Sequence, residues 1–314
     1  MDKMKFVITG GSGFLGSNLA RRLIKNGHKV SIFDRRTLEE ANRLKDLKDK
    51  IEYCMIDLQN HNLLNKKLVG FDVVVHFSAS ANTQLGMIRP NIDLKTGIIP
   101  TFNILEAMRV NGIKKIVFGS SPAVYGNPIK FPVSEDAGNL LPISLYGAAK
   151  LASEGLISAF CNLFNFKAWI FRFGNVVGPD MNRGVVVDFI KKLKQSPTKL
   201  EILGSGSQKK DIIFIEDCIN GILFSLKNSN EKINVFNLSS GTTITVTEIA
   251  KIVINELSFS NVKIKKTKGK SGWMGDPEII HLNISKLRNL GWSPKYTAKE
   301  AIRLTVKKTL LNPS

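Results

Sequence analysis

Three stretches of the sequence could do chemistry together. The first is Tyr146-Gly147-Ala148-Ala149-Lys150, which sets a phenol and an ammonium at i and i+4. At helical pitch both leave one face. A lysine cation beside a phenol favours the phenolate, so the spacing predicts a Tyr146 with a lowered pKa that acts as general base towards a hydroxyl. A Tyr-x-x-x-Lys pair is common by itself on solvated helix surfaces. What singles this one out is Ser120-Ser121, ending an apolar run upstream, where a serine hydroxyl can hydrogen-bond a reacting oxygen. The third stretch is Thr9-Gly10-Gly11-Ser12-Gly13-Phe14-Leu15-Gly16. Its glycines permit a tight turn, close backbone approach to a pyrophosphate, and a helix seated against a strand, whose N-terminal amides face the phosphates.

The turn lies between an expected strand, Lys5–Thr9, and an expected helix, Ser17–Asn26, closed by Gly27. A second strand, His28–Phe33, ends at Asp34, roughly 20 residues beyond the turn, which is the spacing a dinucleotide site requires. Asp34 suits a free ribose 2′-hydroxyl and repels a 2′-phosphate, so NAD is the expected cofactor; Arg35 and Arg36 follow it and could meet a phosphate instead. Asp57-Leu58, after a third strand over Ile51–Ile56, is placed to meet the adenine, and a helix N-cap is the other reading of that aspartate.

Further strands are expected at Phe71–Phe77, Lys114–Gly119 and Ala168–Phe173, with helices at Thr101–Val110 and Ala148–Phe164 between them. Strands alternating with helices indicate an α/β doubly wound, Rossmann-type parallel sheet. Beyond Gly174 the pattern loosens. Asn175–Arg183 is expected as a loop, Val185–Lys194 as a helix, Ile212–Ile215 as a strand, and Glu216–Leu226, Val246–Asn255 and Ala298–Leu310 as helices. Lys265–Gly272 reads as a basic loop. The expected division is a dinucleotide domain of residues 1–174 and 212–238, with a smaller interleaved substrate lobe of residues 175–211 and 239–314.

With 314 residues, 43% of them hydrophobic, a sizeable core can form. No apolar run reaches the 18 or so residues of a membrane span, and the N-terminus, Met1 to Ile8, lacks a signal-peptide pattern, so a cytoplasmic protein without membrane insertion is expected. Cys54, Cys161 and Cys218 show no metal spacing; reduced thiols and no metal are expected. The net charge of +19 is spread over scattered lysines without interleaved aromatics, which argues against a nucleic-acid partner.

These stretches together resemble the extended short-chain dehydrogenase/reductase superfamily, in particular its NAD-dependent nucleotide-sugar epimerases of the UDP-glucose 4-epimerase type. The resemblance runs through Thr9–Gly16, Val75-His76-Phe77-Ser78-Ala79, Asn103–Ala107, Ser120–Gly126, Tyr146–Lys150, Arg172-Phe173-Gly174-Asn175, Gly204–Asp211 and Gly275-Asp276. It implies Ser121, Tyr146 and Lys150 as catalytic residues. It implies a cofactor held by Gly10, Gly13, Phe14, Leu15, Asp34, Arg35, Asp57, Leu58, Phe77, Ser78, Ala79, Tyr146, Lys150 and Phe173. A nucleotide sugar would meet Ser80, Asn82, Ser121, Ala123, Asn175, Val186, Glu201, Leu203, Lys210, Trp273 and Asp276.

Three positions depart from the family pattern. Lys210 stands for an arginine, which keeps the charge and loses the bidentate fork. Trp273 stands where an arginine precedes Gly275-Asp276, a form similar to a mainly archaeal subgroup, and Gly97 replaces an asparagine. Pro122 and Ala123 follow Ser121 where related dehydratases and decarboxylases carry acids, so elimination and decarboxylation are disfavoured. The implied reaction is C4 epimerisation of UDP-glucose or UDP-galactose through a 4-keto sugar. Other readings are an epimerase of UDP-glucuronate or of a CDP- or GDP-sugar, a 4-keto-sugar reductase, or an NAD-sensing regulator, the last opposed by the intact Tyr146 and Lys150. Apolar residues on more than one face of the helices Thr101–Val110 and Ala148–Phe164, among them Phe102, Leu156, Ile157, Phe160 and Phe164, leave a face that needs a partner, and the resemblance implies a homodimer paired through these helices.

Overall fold

The computed structural model describes residues 3–80, 83–269, 272 and 275–311. Its strands are β1 Lys5–Thr9, β2 Lys29–Asp34, β3 Glu52–Met55, β4 Val73–His76, β5 Lys115–Ser120, β6 Lys167–Phe173, β7 Asn175–Val177, β8 Lys199–Ile202, β9 Lys209–Phe214, β10 Ile233–Leu238, β11 Thr243–Thr245 and β12 Lys263–Lys266. Its α-helices are α1 Phe14–Lys25, α2 His61–Lys67, α3 Leu85–Ile88, α4 Ile99–Val110, α5 Leu145–Phe164, α6 Val185–Gln195, α7 Ile215–Asn228, α8 Val246–Glu256, α9 Ser285–Asn289 and α10 Ala298–Leu311.

Seven strands form one sheet in the order β10-β6-β5-β4-β1-β2-β3. The pairings β1–β2, β1–β4, β2–β3, β4–β5 and β5–β6 are parallel. A parallel sheet covered on both faces needs strands without a wet side, and β4 (Val73-Val74-Val75-His76) is buried at every position. The strand order reverses between β1 and β4, which is where open α/β sheets bind ligands.

The chain divides into two compact units. The first comprises Met1–Gly126, Asn139–Arg172 and Ile222–Phe236, and contains the seven-stranded sheet apart from the last residues of β6 and β10. One of its core clusters joins Val7, Phe33, Val74, Ile104, Phe118, Ile157 and Phe166. The second unit comprises Asn127–Gly138, Phe173–Gly221 and Asn237–Ser314, with sheets β11-β9-β7 and β12-β8. It takes in residues 127–138 and 212–221, which the sequence reading assigns to the dinucleotide domain. The reason lies in long-range backbone pairing: Val133 N donates to His281 O (2.8 Å), Asn283 N donates to Val133 O (2.8 Å), and the Asn237 amide fills Val133 O as well (2.8 Å).

Element boundaries differ from expectation in instructive places. Helix α5 starts at Leu145, not Ala148, because Ser144 caps it by accepting from Gly147 N (3.1 Å). Within the expected loop after Gly174, Asn175–Val177 pairs in parallel with β9. The expected basic loop at Lys265 begins as strand: β12 pairs with β8, Lys265 opposite Glu201. Strand β10 and the 3₁₀ segment Asn42–Lys50 escaped the sequence reading. Among the described residues, no helix is long and apolar enough to cross a membrane.

Candidate active site

The glycine turn is shaped by contacts that a side chain would break. A Cβ on Gly10, which sits at φ +67°, would fall 2.9 Å from the backbone of Ser78. One on Gly16 would meet the backbone of Gly11 at 2.6 Å, and one on Gly13 the carbonyl of Gly10 at 3.0 Å. The turn therefore presses against the end of β4, and α1 against the turn, leaving the first amides of α1 without side-chain caps. Such a cradle fits a pyrophosphate. Phe14, Leu15, Phe77, Ser78, Ala79 and Ser80 line the same two strand ends, each half-buried.

Asp34, at the end of β2, accepts from Ser12 N (3.2 Å) and Ser12 Oγ at one oxygen and from Arg36 N (3.2 Å) and Nε (3.3 Å) at the other. Burial works to raise its pKa, and the Ser12 and Arg36 bonds more than offset that, so it is held below the ordinary aspartate value. An ionised Asp34 fits a ribose diol, and Arg36, turned onto Asp34, is not free to meet a 2′-phosphate; Arg35 is exposed. Asp57 is also exposed. Its carboxylate accepts from Gln59 N (2.9 Å), while Asn60 caps α2 by accepting from Leu63 N (3.0 Å), so the N-cap reading of Asp57 fails. Leu58 is buried.

Ser121, Tyr146 and Lys150 all lie in the first unit and come together. Two glycines set the geometry. A Cβ on Gly147 would stand 2.5 Å from Ala123 O, and one on Gly126 (φ +62°) 1.8 Å from Leu141 O. Only glycine lets the start of α5 lie this close to the turn after β5. There Ser121 accepts from Ala123 N (3.2 Å), and its side chain acts electrostatically on the Tyr146 phenol. Lys150 is buried, donates to Gly119 O (2.6 Å) and lies 5.8 Å from the Tyr146 ring centre and 4.7 Å from that of Phe118.

The electrostatics correct one expectation. Tyr146 is not lowered: desolvation pushes it up to about 12, the Ser121 side chain works against that, and the Asp93 carboxylate adds to it. Lys150 is pushed down to about 8 by burial, against the pull of Glu154 and Asp93. A half-buried phenol and a buried ammonium each avoid charge, and the neighbouring lysine does not overcome the loss of water around the phenol.

Below the pair lies polar structure that the sequence reading missed. Arg172 bonds Glu154 (2.7 and 3.1 Å) and the Tyr125 hydroxyl (2.9 Å), and Ser120 Oγ donates to Glu154 as well. His76, held neutral by burial at about 3, links Thr9 Oγ1 (2.7 Å) to Thr101 Oγ1 (3.1 Å), which also meets Ser153 Oγ (3.1 Å). Glu154, one helical turn beyond Lys150, was open to detection by the same i, i+4 spacing. The nearly buried Asp93, 3% exposed, carries no local signal.

The second unit holds the other expected residues. Asn175 is exposed at the start of β7 and donates to Asp211 O (3.2 Å). Lys210 Nζ is bound to Asp276 (2.7 Å) and Pro277 O (3.0 Å), so the two charges expected on the substrate neutralise one another. Glu201 O accepts from Lys192 (3.0 Å), Leu203 O accepts from Gln208 (3.0 Å) and the Leu203 side chain is exposed. Phe173 is 7% exposed and Val186 wholly buried, the latter in the core of α6. Ala123, in the first unit, is half-buried. Asn82 and Trp273 lie outside the described residues.

Comparison with known proteins agrees with this fold. A putative UDP-glucose 4-epimerase of Methanocaldococcus jannaschii is 32% identical over 306 residues, covering 96% of each chain. The structure of the Thermotoga maritima UDP-glucose 4-epimerase with UDP-glucose superposes with a TM-score of 0.89 at 26% identity, over 99% of this chain and 100% of that one. The Thermus thermophilus UDP-glucose 4-epimerase complex with NAD gives 0.86 at 27% identity, over 97% and 98%. Residues 6–239 match the family model, and this chain belongs to the NAD dependent epimerase/dehydratase family.

Proposed function

We propose that the protein epimerises a nucleotide sugar at C4 through a 4-keto intermediate, using NAD, with UDP-glucose and UDP-galactose as the substrate pair. The observation that carries this reading is the Tyr146 phenol, acted on by Ser121, with the Lys150 ammonium 5.8 Å from its ring centre, on the unit that bears the glycine cradle. NAD, when bound, supplies a hydride acceptor and a positive charge beside the phenol. Gly10, Gly13, Phe14 and Leu15 hold the pyrophosphate side. Asp34 with Arg35 faces the adenosine ribose, Asp57 and Leu58 the adenine, and Phe77, Ser78, Ala79 and Phe173 border the nicotinamide half. Lys150 fixes the nicotinamide ribose.

In the forward half-reaction Tyr146 takes the proton of the sugar 4-hydroxyl as hydride leaves C4. Ser121 holds that oxygen throughout. Tyr146 returns the proton when hydride comes back to the other face of the turned 4-keto sugar. Ala123 and Ser80 border the sugar. Asn175, Val186, Glu201, Leu203, Lys210 and Asp276, with Asn82 and Trp273, form the nucleotide-sugar set, so the second unit is the substrate lobe. Pro122 and Ala123 after Ser121 have no acidic group that could transfer a proton, which supports epimerisation over elimination.

We further infer a homodimer joined through α4 and α5, and a cytoplasmic location, in keeping with three unpaired cysteines. Incubating the purified protein with UDP-glucose, UDP-galactose, UDP-glucuronate and CDP- and GDP-hexoses, with products followed by NMR, tests the substrate. Interconversion of the UDP-hexoses is expected. Turnover of another sugar nucleotide alone would overturn the substrate, and net consumption of reduced cofactor would indicate a reductase.

A further inference from the structure

Burying a charge is costly unless something balances it. Two carboxylates act on the Lys150 ammonium, Glu154 and Asp93. Glu154 is already spoken for: Arg172 meets it through two nitrogens at 2.7 and 3.1 Å, and Ser120 adds a third donor. Asp93 is different. It is 3% exposed, and among the described residues its Oδ2 has no hydrogen-bond partner. That oxygen lies against Gly86 of α3: a Cβ there would meet it at 3.0 Å and, separately, the Leu145 Cβ at 3.2 Å. Lys150, for its part, spends one hydrogen bond on Gly119 O among the described residues.

The remaining groups that face Lys150 cannot balance it. They are His76 on β4, which is neutral, the Phe118 ring on β5 and the Tyr146 phenol on α5; the charge of Arg172 on β6 is matched by Glu154. We propose that Asp93 is a positioning residue of the Tyr146–Lys150 pair, its carboxylate being the counter-charge of the Lys150 ammonium. In a desolvated site a counter-charge acts across a gap without contact. Asp93 precedes a π-helical turn, Leu94–Ile98, that leads into α4, and Gly97 within this turn lies against Ala149 of α5 (3.4 Å from a Cβ at Gly97). The irregular turn delivers the carboxylate to the pair, in line with the placing of π-turns at functional sites.

The inference rests on Tyr146 and Lys150 being the reacting pair, and its test separates the two ideas. A carboxylate close by raises the proton affinity of both the ammonium and the phenol. Losing it in Asp93→Asn moves both limbs of the pH profile of kcat/KM to lower pH. By NMR of ¹³C-labelled lysine in the purified protein, with Lys150 assigned through Lys150→Arg, its titration midpoint falls by about one pH unit, tenfold in proton affinity. Asp93→Glu keeps midpoint and profile near wild type. A midpoint unchanged in Asp93→Asn would overturn the proposal. Should that variant not fold, the reciprocal measurement decides. Lys150→Gln must raise the midpoint of the Asp93 carboxyl, and an unmoved midpoint refutes the coupling. A wild type without UDP-hexose activity leaves both midpoints as valid tests, and only the substrate reading fails.

Discussion

At the scale of single residues, the site depends on where protons rest. With Tyr146 at about 12 the phenol is protonated at neutral pH, and its conversion to a base depends on positive charge brought beside it. Tyr146→Phe removes one oxygen and leaves the ring. We expect it to retain fold and NAD while kcat for UDP-galactose conversion drops by about 10²–10⁴, the usual worth of a positioned base. Ser121→Ala costs less, since it loses a hydrogen bond and not the base. Lys150→Ala lowers both kcat and NAD content. Steady-state rates, cofactor released on denaturation and circular dichroism separate these outcomes; a Tyr146→Phe enzyme at wild-type rate would show that the proton leaves by another route.

Elements explain why these side chains meet. Gly147 and Gly155 share helix α5 and have opposite environments. A Cβ on Gly147 collides with Ala123 O, whereas one on Gly155 meets nothing within 4 Å. Gly147→Ala pushes the first turn of α5 off the Ser121 turn, and misplacement on the order of 1 Å costs about 10²-fold in rate. Gly155→Ala, on the exposed side, stabilises the helix by about 1 kcal/mol and leaves the rate unchanged. Rates and denaturant midpoints of the two variants check this pair; equal behaviour would mean that the close approach is not what sets the geometry.

The same elements show what the sequence made legible. Motifs with a local physical cause were readable: the glycine turn, Asp34 ending β2, and the Tyr146–Lys150 spacing, because each is fixed by neighbours a few residues away. The last two residues of β12, Lys265-Lys266, read as the start of a loop since the strand, Lys-Ile-Lys-Lys, is a largely exposed edge held by pairing with β8, some 60 residues away (Lys263 opposite Lys199). Asp93 and the Arg172–Glu154 pair are products of long-range packing. The Tyr146 pKa was misjudged because spacing reveals the lysine and not the desolvation.

For the whole molecule, two properties follow. Outward apolar residues on α4 and α5 include Phe102, Val110 and Leu163, at 46%, 57% and 74% exposure, while Ile157 and Phe160 turn inward. We expect light scattering at micromolar concentration to give a dimer mass, and Phe102→Glu to give a monomer. A monomeric wild type would leave these residues unexplained. Stability should also carry the mark of Asp211, wholly buried in the second unit and bonded to Ser239 and Leu282 N (2.9 Å). Burial raises its carboxyl to about 7. Between the ordinary aspartate value and about 7 the folded state binds a proton that the unfolded state has lost, so stability falls as pH rises through that window and stays low above it. Measured as unfolding free energy at several pH values, the difference between wild type and Asp211→Asn should change across this window and be flat above it; a difference independent of pH would remove Asp211 as the cause.

The seating of Gly147 against Ala123 and of Gly126 against Leu141 has a consequence for stereochemistry. Serine, phenol and ammonium are bolted to one rigid platform, so the machinery offers a single handedness to whatever enters. Under the proposed reaction, inversion at a carbon must then come from the guest changing its pose, and tolerance for that tumbling belongs to the lobe that grips the nucleotide. Evolution could retune the choice of sugar by altering the second unit's loops while the platform stayed untouched. Such a division would let one scaffold serve a series of epimers without reinventing its proton chemistry.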